Sequence, residues 1–245
     1  MTEVSVAMAA ERLGVRTSRV RSLLASGRLA GRRVGSLWLV DDSDLERRRI
    51  AVEGVRGRPL ATRVAWASAA LFDGIDVGWL TSAERARLRA RWVNNNGDAQ
   101  VCRWWMQSRA SVSRYRIGSG DIEELLASKG TIAGGISAAS SYGTGLGHGA
   151  EAEIYADQMT VRRLVDEFFL LPHPQGNLTV HEVRSEAGWH HETSRVVNGL
   201  QVVPRLIVVA DLLDSDDTRS RSAGASLLAD VLGGLGQHER QLVAS

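Results

Sequence analysis

Cysteine, lysine and proline are scarce in this chain. Its 245 residues include one cysteine, Cys102, one lysine, Lys129, and four prolines. A single thiol excludes an internal disulfide framework and any site built from several thiolates, and it fits a reducing cytoplasm. Long apolar runs are also missing. None approaches the ~20 residues that a membrane span needs, so no membrane partner is expected. The opening stretch, MTEVSVAMAAERLGV, carries Glu3 and Glu11 and no basic segment ahead of an apolar core, so it is not read as a secretory signal. Aromatic residues are only 5% of the chain, but seven are tryptophan against three phenylalanines and three tyrosines. The aromatic surface is therefore concentrated at a few places. With 44% hydrophobic and 24% charged residues, the composition is that of a folded chain, neither disordered nor fibrous.

What is abundant is arginine, and it is unevenly placed. Residues 1–60 hold 12 arginines against 7 acids, a net charge of +5, and residues 61–129 carry +3. Residues 130–245 hold 8 arginines against 14 acids, a net of −6. A basic front and an acidic back point to a polyanion partner for the front half.

The first fifty residues carry the clearest pattern. Ser5 is placed to cap a helix running through Leu13, with Val6, Ala9, Ala10 and Leu13 at spacings of three and four. Gly14 breaks it, and a second helix is expected from Thr17 to Ser26, with Val20, Leu23 and Leu24 on one face and Ser18, Arg19, Arg21, Ser22 and Ala25 on the other. Gly27 can end it in the left-handed conformation. Ala10 allows a close helix crossing, and Val15, Val20 and Leu23 are expected to wedge the two helices apart. Two short helices around a glycine turn, the second polar and arginine-bearing, make a helix-turn-helix pattern. Two short β-prone runs, Arg32–Val34 and Leu37–Val40, then flank Gly35-Ser36, a pattern for a type II′ hairpin. Such a hairpin would be a wing, with Arg32 and Arg33 in reach of phosphates or a minor groove. Asp42-Ser43-Asp44 is expected to cap a helix over 45–51 bearing Arg47, Arg48 and Arg49. The stretch over 52–62 reads as a linker, and its Arg56-Gly57-Arg58-Pro59 tract is either a minor-groove arm or a solvated connector.

The middle segment reads as mainly helical. An apolar helix lies within 63–80, and Thr81 to Glu84 has capping-box spacing. Arg85, Arg87, Arg89 and Arg91 then spread around a helix, as on a solvated face. A Trp-rich helix over 99–109 encloses Cys102 as a core filler; Trp104 and Trp105 cannot both face one core. A strand over 112–117 and a capped helix from Asp121 to Ala127, with Glu124 at the N3 position, follow. Helix, helix, strand and helix, with Arg103, Arg109, Arg114 and Arg116, could form a second small winged unit.

The Gly/Ser/Ala-rich stretch 130–149 raises nucleotide binding. It has no lysine at P-loop spacing and no strand–turn–helix frame for a dinucleotide fingerprint, so a hinge or domain-linking loop is expected. Beyond it, strands over 153–156 and 178–183 alternate with helices over 160–168 and around 223–231, an apolar stretch follows Pro204, and Asp216 or Asp217 is placed to cap the last helix. Asp211, Asp214, Asp216 and Asp217 put four carboxylates in seven residues, as two-metal nucleases do. Their position between two helices reads better as capping. His190 and His191, with His173 and His181 upstream, read as loop residues, because adjacent histidines on a strand point apart. Neither a cofactor nor a metal is expected, and no catalytic set is complete: G-x-S-x-G, H-E-x-x-H and C-x-x-C are all missing.

The stretch AAERLGVRTSRVRSLLASGRLAGRRVGSLWLVDDSDLERRR resembles the winged-helix heads of the MerR and excisionase-like group. The order of that head, RGRPLATRVAWA, a capped Arg-rich helix, GGISAAS, GNLTVHEV and VVPRLIVVADLLDSDDTRSRSAG is similar to AbiEi-type antitoxins of abortive-infection systems, the stretch from Asp211 to Gly224 being the most telling. The resemblance implies a DNA-binding regulator of its own promoter, an antitoxic C-terminal domain and a nucleotidyltransferase-like toxin as partner. The chain is thus expected to be α+β and not an enzyme. Its expected parts are a winged helix-turn-helix over 1–52, a linker and helical segment over 53–129 and a C-terminal α/β domain over 130–245. The expected DNA contacts are Arg16, Thr17, Ser18, Arg19, Arg21, Ser22, Arg28, Arg32, Arg33, Ser36 and Trp38, with Arg56 and Arg58 from the linker. The alternatives are a DNA-targeted metal-dependent nuclease or phosphotransferase, and an excisionase-like architectural factor. Oligomeric state stays open.

Overall fold

A computed structural model describes residues 3–42, 44–45, 58–94, 97–184 and 188–243, with side chains as far as 233. The chain forms two compact units, residues 1–57 and 58–245, each with its own core.

In the first unit, β1 (Glu3–Ser5) leads into α1 (Val6–Arg12), where the Ser5 hydroxyl caps the helix by accepting from the Met8 amide at 3.2 Å. Gly14, at φ +61°, turns the chain toward α2 (Thr17–Ala25), and Gly27, at φ +67°, follows that helix. The strands β2 (Gly31–Val34) and β3 (Leu37–Asp41) pair around Gly35 at φ +60°, with Ser36 outside the left-handed region, the combination a type II′ turn requires. The sheet runs β1-β3-β2, all antiparallel, with Val4 opposite Val40. Its core joins Val4, Ala9 and Ala10 to Val20, Leu23, Leu24, Leu29, Val40 and Leu45. Val15, expected in the wedge between the helices, is instead 38% exposed. β1 was not foreseen, because three residues are too few to display a two-residue period. The rest of the helix expected after Asp44, with Arg47 to Arg49, and the linker as far as Gly57 lie outside the described residues.

The second unit opens with three helices, α3 (Thr62–Phe72), α4 (Ser82–Val93) and α5 (Ala99–Met106). Then come β4 (Ser111–Arg116), α6 (Ile122–Ala127), β5 (Ile132–Ala133), α7 (Gly135–Ala139), β6 (Ala152–Ala156), α8 (Gln158–Glu167), β7 (Leu171–Pro172) and β8 (Leu178–Glu182). A short α9 (Trp189–Thr193), the hairpin β9 (Arg195–Val197) and β10 (Leu200–Val202), α10 (Arg205–Asp214) and α11 (Thr218–Val243) complete it. One mixed sheet runs β7-β4-β8-β6-β5-β10-β9, with parallel pairs at β8–β6 and β5–β10. Helices packed on a mixed sheet make the unit α+β, as expected.

α10 is the axis of the core. Leu206 to Leu213 are all buried, as befits a helix that is apolar almost all round, and it packs against α3, α5, α7 and α11. Trp66, Trp92 and Trp105 are buried in the same core. Trp66 is fully buried and donates to the Arg109 carbonyl at 3.0 Å, while Trp92 stands edge-on to both Phe72 and Trp105. The Thr81/Glu84 capping box forms as read.

Three expectations fail here. The second winged unit does not exist: β4 pairs with β7 and β8 inside the seven-stranded sheet, so its neighbours come from 55 or more residues downstream. Asp121 stands at the start of α6 without a side-chain cap. The glycine-rich stretch is not a hinge, because Ile132 to Gly135 and Ser137 to Ala139 are buried. Its small residues serve close approach. A Cβ on Gly134 would lie 2.6 Å from the Tyr155 ring. The boundary expected at 129/130 accordingly runs through the interior of one core.

Candidate nucleic-acid interface and a buried polar network

α2 is two-sided. Val20, Leu23 and Leu24 are buried, while Thr17, Ser18, Arg19, Arg21 and Ser22 are exposed, as is Arg16 at its N-cap. Neither Arg19 nor Arg21 makes an ion pair or side-chain hydrogen bond among the described residues. Arg32 is held by Glu3 through two bonds, Nε to Oε1 at 2.7 Å and Nη2 to Oε2 at 2.8 Å. That bond, more than the charge of Arg32, holds the Glu3 carboxyl below the usual range. Arg33 is exposed and donates from Nε to the Gly35 carbonyl at 3.1 Å. Ser36 is exposed at the hairpin tip, and Arg28 is half-buried. Trp38 is also half-buried and packs on the core of the first unit. Arg56 lies outside the described residues; Arg58 is exposed, and its carbonyl accepts from Arg91.

Inside the second unit lies a charged network that sequence reasoning missed. Arg109, buried at the end of the α5–β4 connection, donates to Asp211 from Nε at 2.9 Å and from Nη2 at 2.7 Å. It also reaches Tyr155 at 2.9 Å and Asp214 at 2.9 Å. Asp211 accepts further from the Tyr155 hydroxyl at 2.6 Å and the Gly135 amide at 2.9 Å. Next to it, Glu153 meets His181 at 2.6 Å and accepts from the Ile136 amide at 3.2 Å. Burial works against the charge on Arg109, but Tyr155, Asp211 and Asp214 outweigh it and keep the guanidinium ionised. Burial pushes the Tyr155 phenol well up, so it remains a donor to Asp211. Burial likewise pushes Glu153 up, yet the bond and charge of His181 bring it below the usual carboxylate range.

The four aspartates do not act as one group. Asp211 is a core ion-pair partner, not a helix cap. Asp214 bonds Arg103 at 2.7 Å as well as Arg109, and these two outweigh burial to hold its carboxyl low. Asp217 caps α11 as expected, accepting from the Ser220 amide at 2.7 Å. Glu153, His181 and Asp211 offer ligand atoms within 4.8 Å of one another, but the Arg109 guanidinium already supplies the positive charge there.

His173 lies in a loop as expected, but three other histidines do not. His181 sits in β8, and His190 and His191 sit in α9 behind Gly188 at φ +61°. On this helix their rings lie side by side, centroids 4.1 Å apart, so the expectation that they diverge is overturned. His190 is 1% exposed, and neither ring nitrogen has a hydrogen-bond partner among the described residues. Burial, with help from His191, lowers its pKa to about 4. Asp157 caps α8 by accepting from the Thr160 amide at 2.7 Å, and its other oxygen lies 4.0 Å from His191 Nε2. Cys102 is fully buried as expected, and burial raises its thiol to about 12.

Residues 81–232 match the model of the AbiEi_2 family, described as "Transcriptional regulator, AbiEi antitoxin, Type IV TA system". The chain belongs to the AbiEi_2 family. No curated protein and no solved structure matches it. The AbiEi_2 match spans the Arg109–Asp211 network and the histidine cluster and lies entirely within the second unit. AbiEi_2 proteins are thus transcriptional regulators and antitoxins of type IV toxin–antitoxin systems, as the sequence resemblance implied. No helix among the described residues is long and apolar enough to cross a membrane.

Proposed function

We propose that this antitoxin binds double-stranded DNA at its own promoter and represses its operon, with a nucleotidyltransferase-like toxin as partner. In this reading residues 1–52 are a winged helix-turn-helix of the MerR/excisionase-like kind. α2 enters the major groove, Ser18, Arg19, Arg21 and Ser22 meet base edges, and Arg16, Thr17 and Arg28 flank them. Arg33 and Ser36, on the hairpin, reach phosphates or the minor groove, joined by Arg58 and Arg56 from the linker. Arg32 and Trp38 complete the hairpin contacts, Arg32 while bonded to Glu3 and Trp38 from its place against the core of the unit.

One observation carries the reading: α2 buries Val20, Leu23 and Leu24 and leaves Arg19 and Arg21 exposed, with no partner among the described residues. Arginine there can bond guanine bidentately, a contact worth about 1–3 kcal/mol of discrimination. The test is fluorescence anisotropy of the full chain on its own upstream DNA and on a scrambled duplex over a range of salt. Arg19→Ala and Arg21→Ala should erode the preference for the upstream sequence. Arg33→Ala should weaken both duplexes alike and flatten the log–log salt slope by about 1. Equal affinity of the wild-type chain for both duplexes would sink the assignment.

A further inference from the structure

We propose that Asp157, His190 and His191 form a zinc-type divalent-cation site in the second unit, separate from the DNA-binding reading and independent of it. Each of the three offers one ligand atom, and these atoms lie within 4.8 Å of one another. Two elements supply them. Asp157 sits at the corner between β6 and α8, and the histidines are consecutive residues of α9.

The observation that points to a ligand is His190. A buried imidazole normally has both ring nitrogens satisfied, by protein, water or metal. Here both nitrogens are buried and neither meets a donor or acceptor among the described residues, on a residue 1% exposed. A cation on one nitrogen would satisfy it. The partners suit that role. His191 is 40% exposed, so its ring can rotate, and Asp157 caps α8 with Oδ1 while Oδ2 points to His191. A tetrahedral zinc, with bonds of about 2.0–2.1 Å, holds its ligand atoms about 3.3 Å apart, so the present 4.0 Å gap closes by a small side-chain shift.

The donor set also selects among metals. Two imidazoles and one carboxylate favour zinc, cobalt or nickel over magnesium or calcium, which prefer oxygen alone. Three protein ligands leave a fourth position for water or an incoming group. With no hydrogen bond to the second nitrogen of His190 among the described residues, the site lacks the outer-shell support of tight zinc centres. The bound ion would tie α9 to the β6–α8 corner and so raise the thermal stability of this unit by mass action.

The test is calorimetric titration of the tag-free, chelator-treated full chain with zinc alone, and with magnesium as a control. Thermal unfolding with and without zinc and the visible absorption of the cobalt form complete it. One zinc per chain, no magnesium, and a zinc-dependent rise in Tm are expected. His191→Ala removes an exposed ligand, and Asp157→Asn keeps a capping side chain while removing the charge. Each should lower zinc affinity by more than the roughly 10–100-fold typical of losing an outer-shell partner, and abolish the Tm shift, with unchanged circular dichroism. Wild-type zinc affinity in either variant, or less than one zinc bound by the wild-type chain, overturns the site.

Discussion

Arg109 and Asp211 are 102 residues apart in sequence and bonded twice in the core. Removing one partner of such a pair leaves a buried charge uncompensated, so Arg109→Met should destabilise the second unit by about 3–5 kcal/mol in urea unfolding. The double variant Arg109→Met/Asp211→Leu should recover part of that loss. Recovery stays incomplete because the Gly135 amide and the Tyr155 hydroxyl lose their acceptor. Cys102, with its thiol near 12, should resist a thiol-specific reagent at pH 8 until the chain is unfolded, while reacting fully in denaturant. At this scale the sequence was only partly legible. The burial of Cys102, the caps at Ser5 and Asp217 and the inward face of α2 follow from local pattern. Arg109 was read as one arginine among many on a winged surface, because nothing within a few residues of it signals a partner so far along the chain. The one hint was Asp211 itself, a carboxylate inside the apolar run LIVVADLL, where an ionised group needs a buried counter-charge.

Among the elements, α4 is the one whose start is written most plainly. Thr81 and Glu84 cap it reciprocally, and the Thr81 amide, then Arg63 and the Thr81 hydroxyl, lower the Glu84 pKa to about 2. Because the folded value lies below the ordinary 4.5, Glu84 contributes stability above that pH and loses it as pH falls from about 4.5 to 2. Glu84→Gln should therefore flatten the pH dependence of stability in that window and leave it unaltered above, as followed by denaturant midpoints. The longer helices and strands were legible because their periods are, whereas α7 and α9, of five residues each, were read as loops. β5 and β7, of two residues each, were not legible, and neither was the sheet order, which depends on pairings between distant segments. The first half of the stretch 130–149 was misread for a physical reason, while 143–149 is a loop. Small residues suit an open loop and also a place where backbone, Tyr155 and Glu153 crowd together, and composition alone does not separate the two.

On the scale of the whole molecule, two separate cores predict two unfolding transitions in calorimetry. Arg109→Met should lower the midpoint of one and leave the other in place; a single transition that moves as a whole would contradict independent cores. The charge imbalance belongs to this scale as well. The basic first sixty residues and the acidic stretch 130–245 were visible in the sequence, as was the antitoxin family, whereas the single core from residue 58 onward was not. A practical consequence follows from the strand at Glu3–Ser5. Val4 is stitched against Val40, and Glu3 anchors Arg32, so residues 3–5 are structural material. Purification handles and reporter fusions grafted directly in front of them would press on the unit proposed to bind DNA, and belong elsewhere.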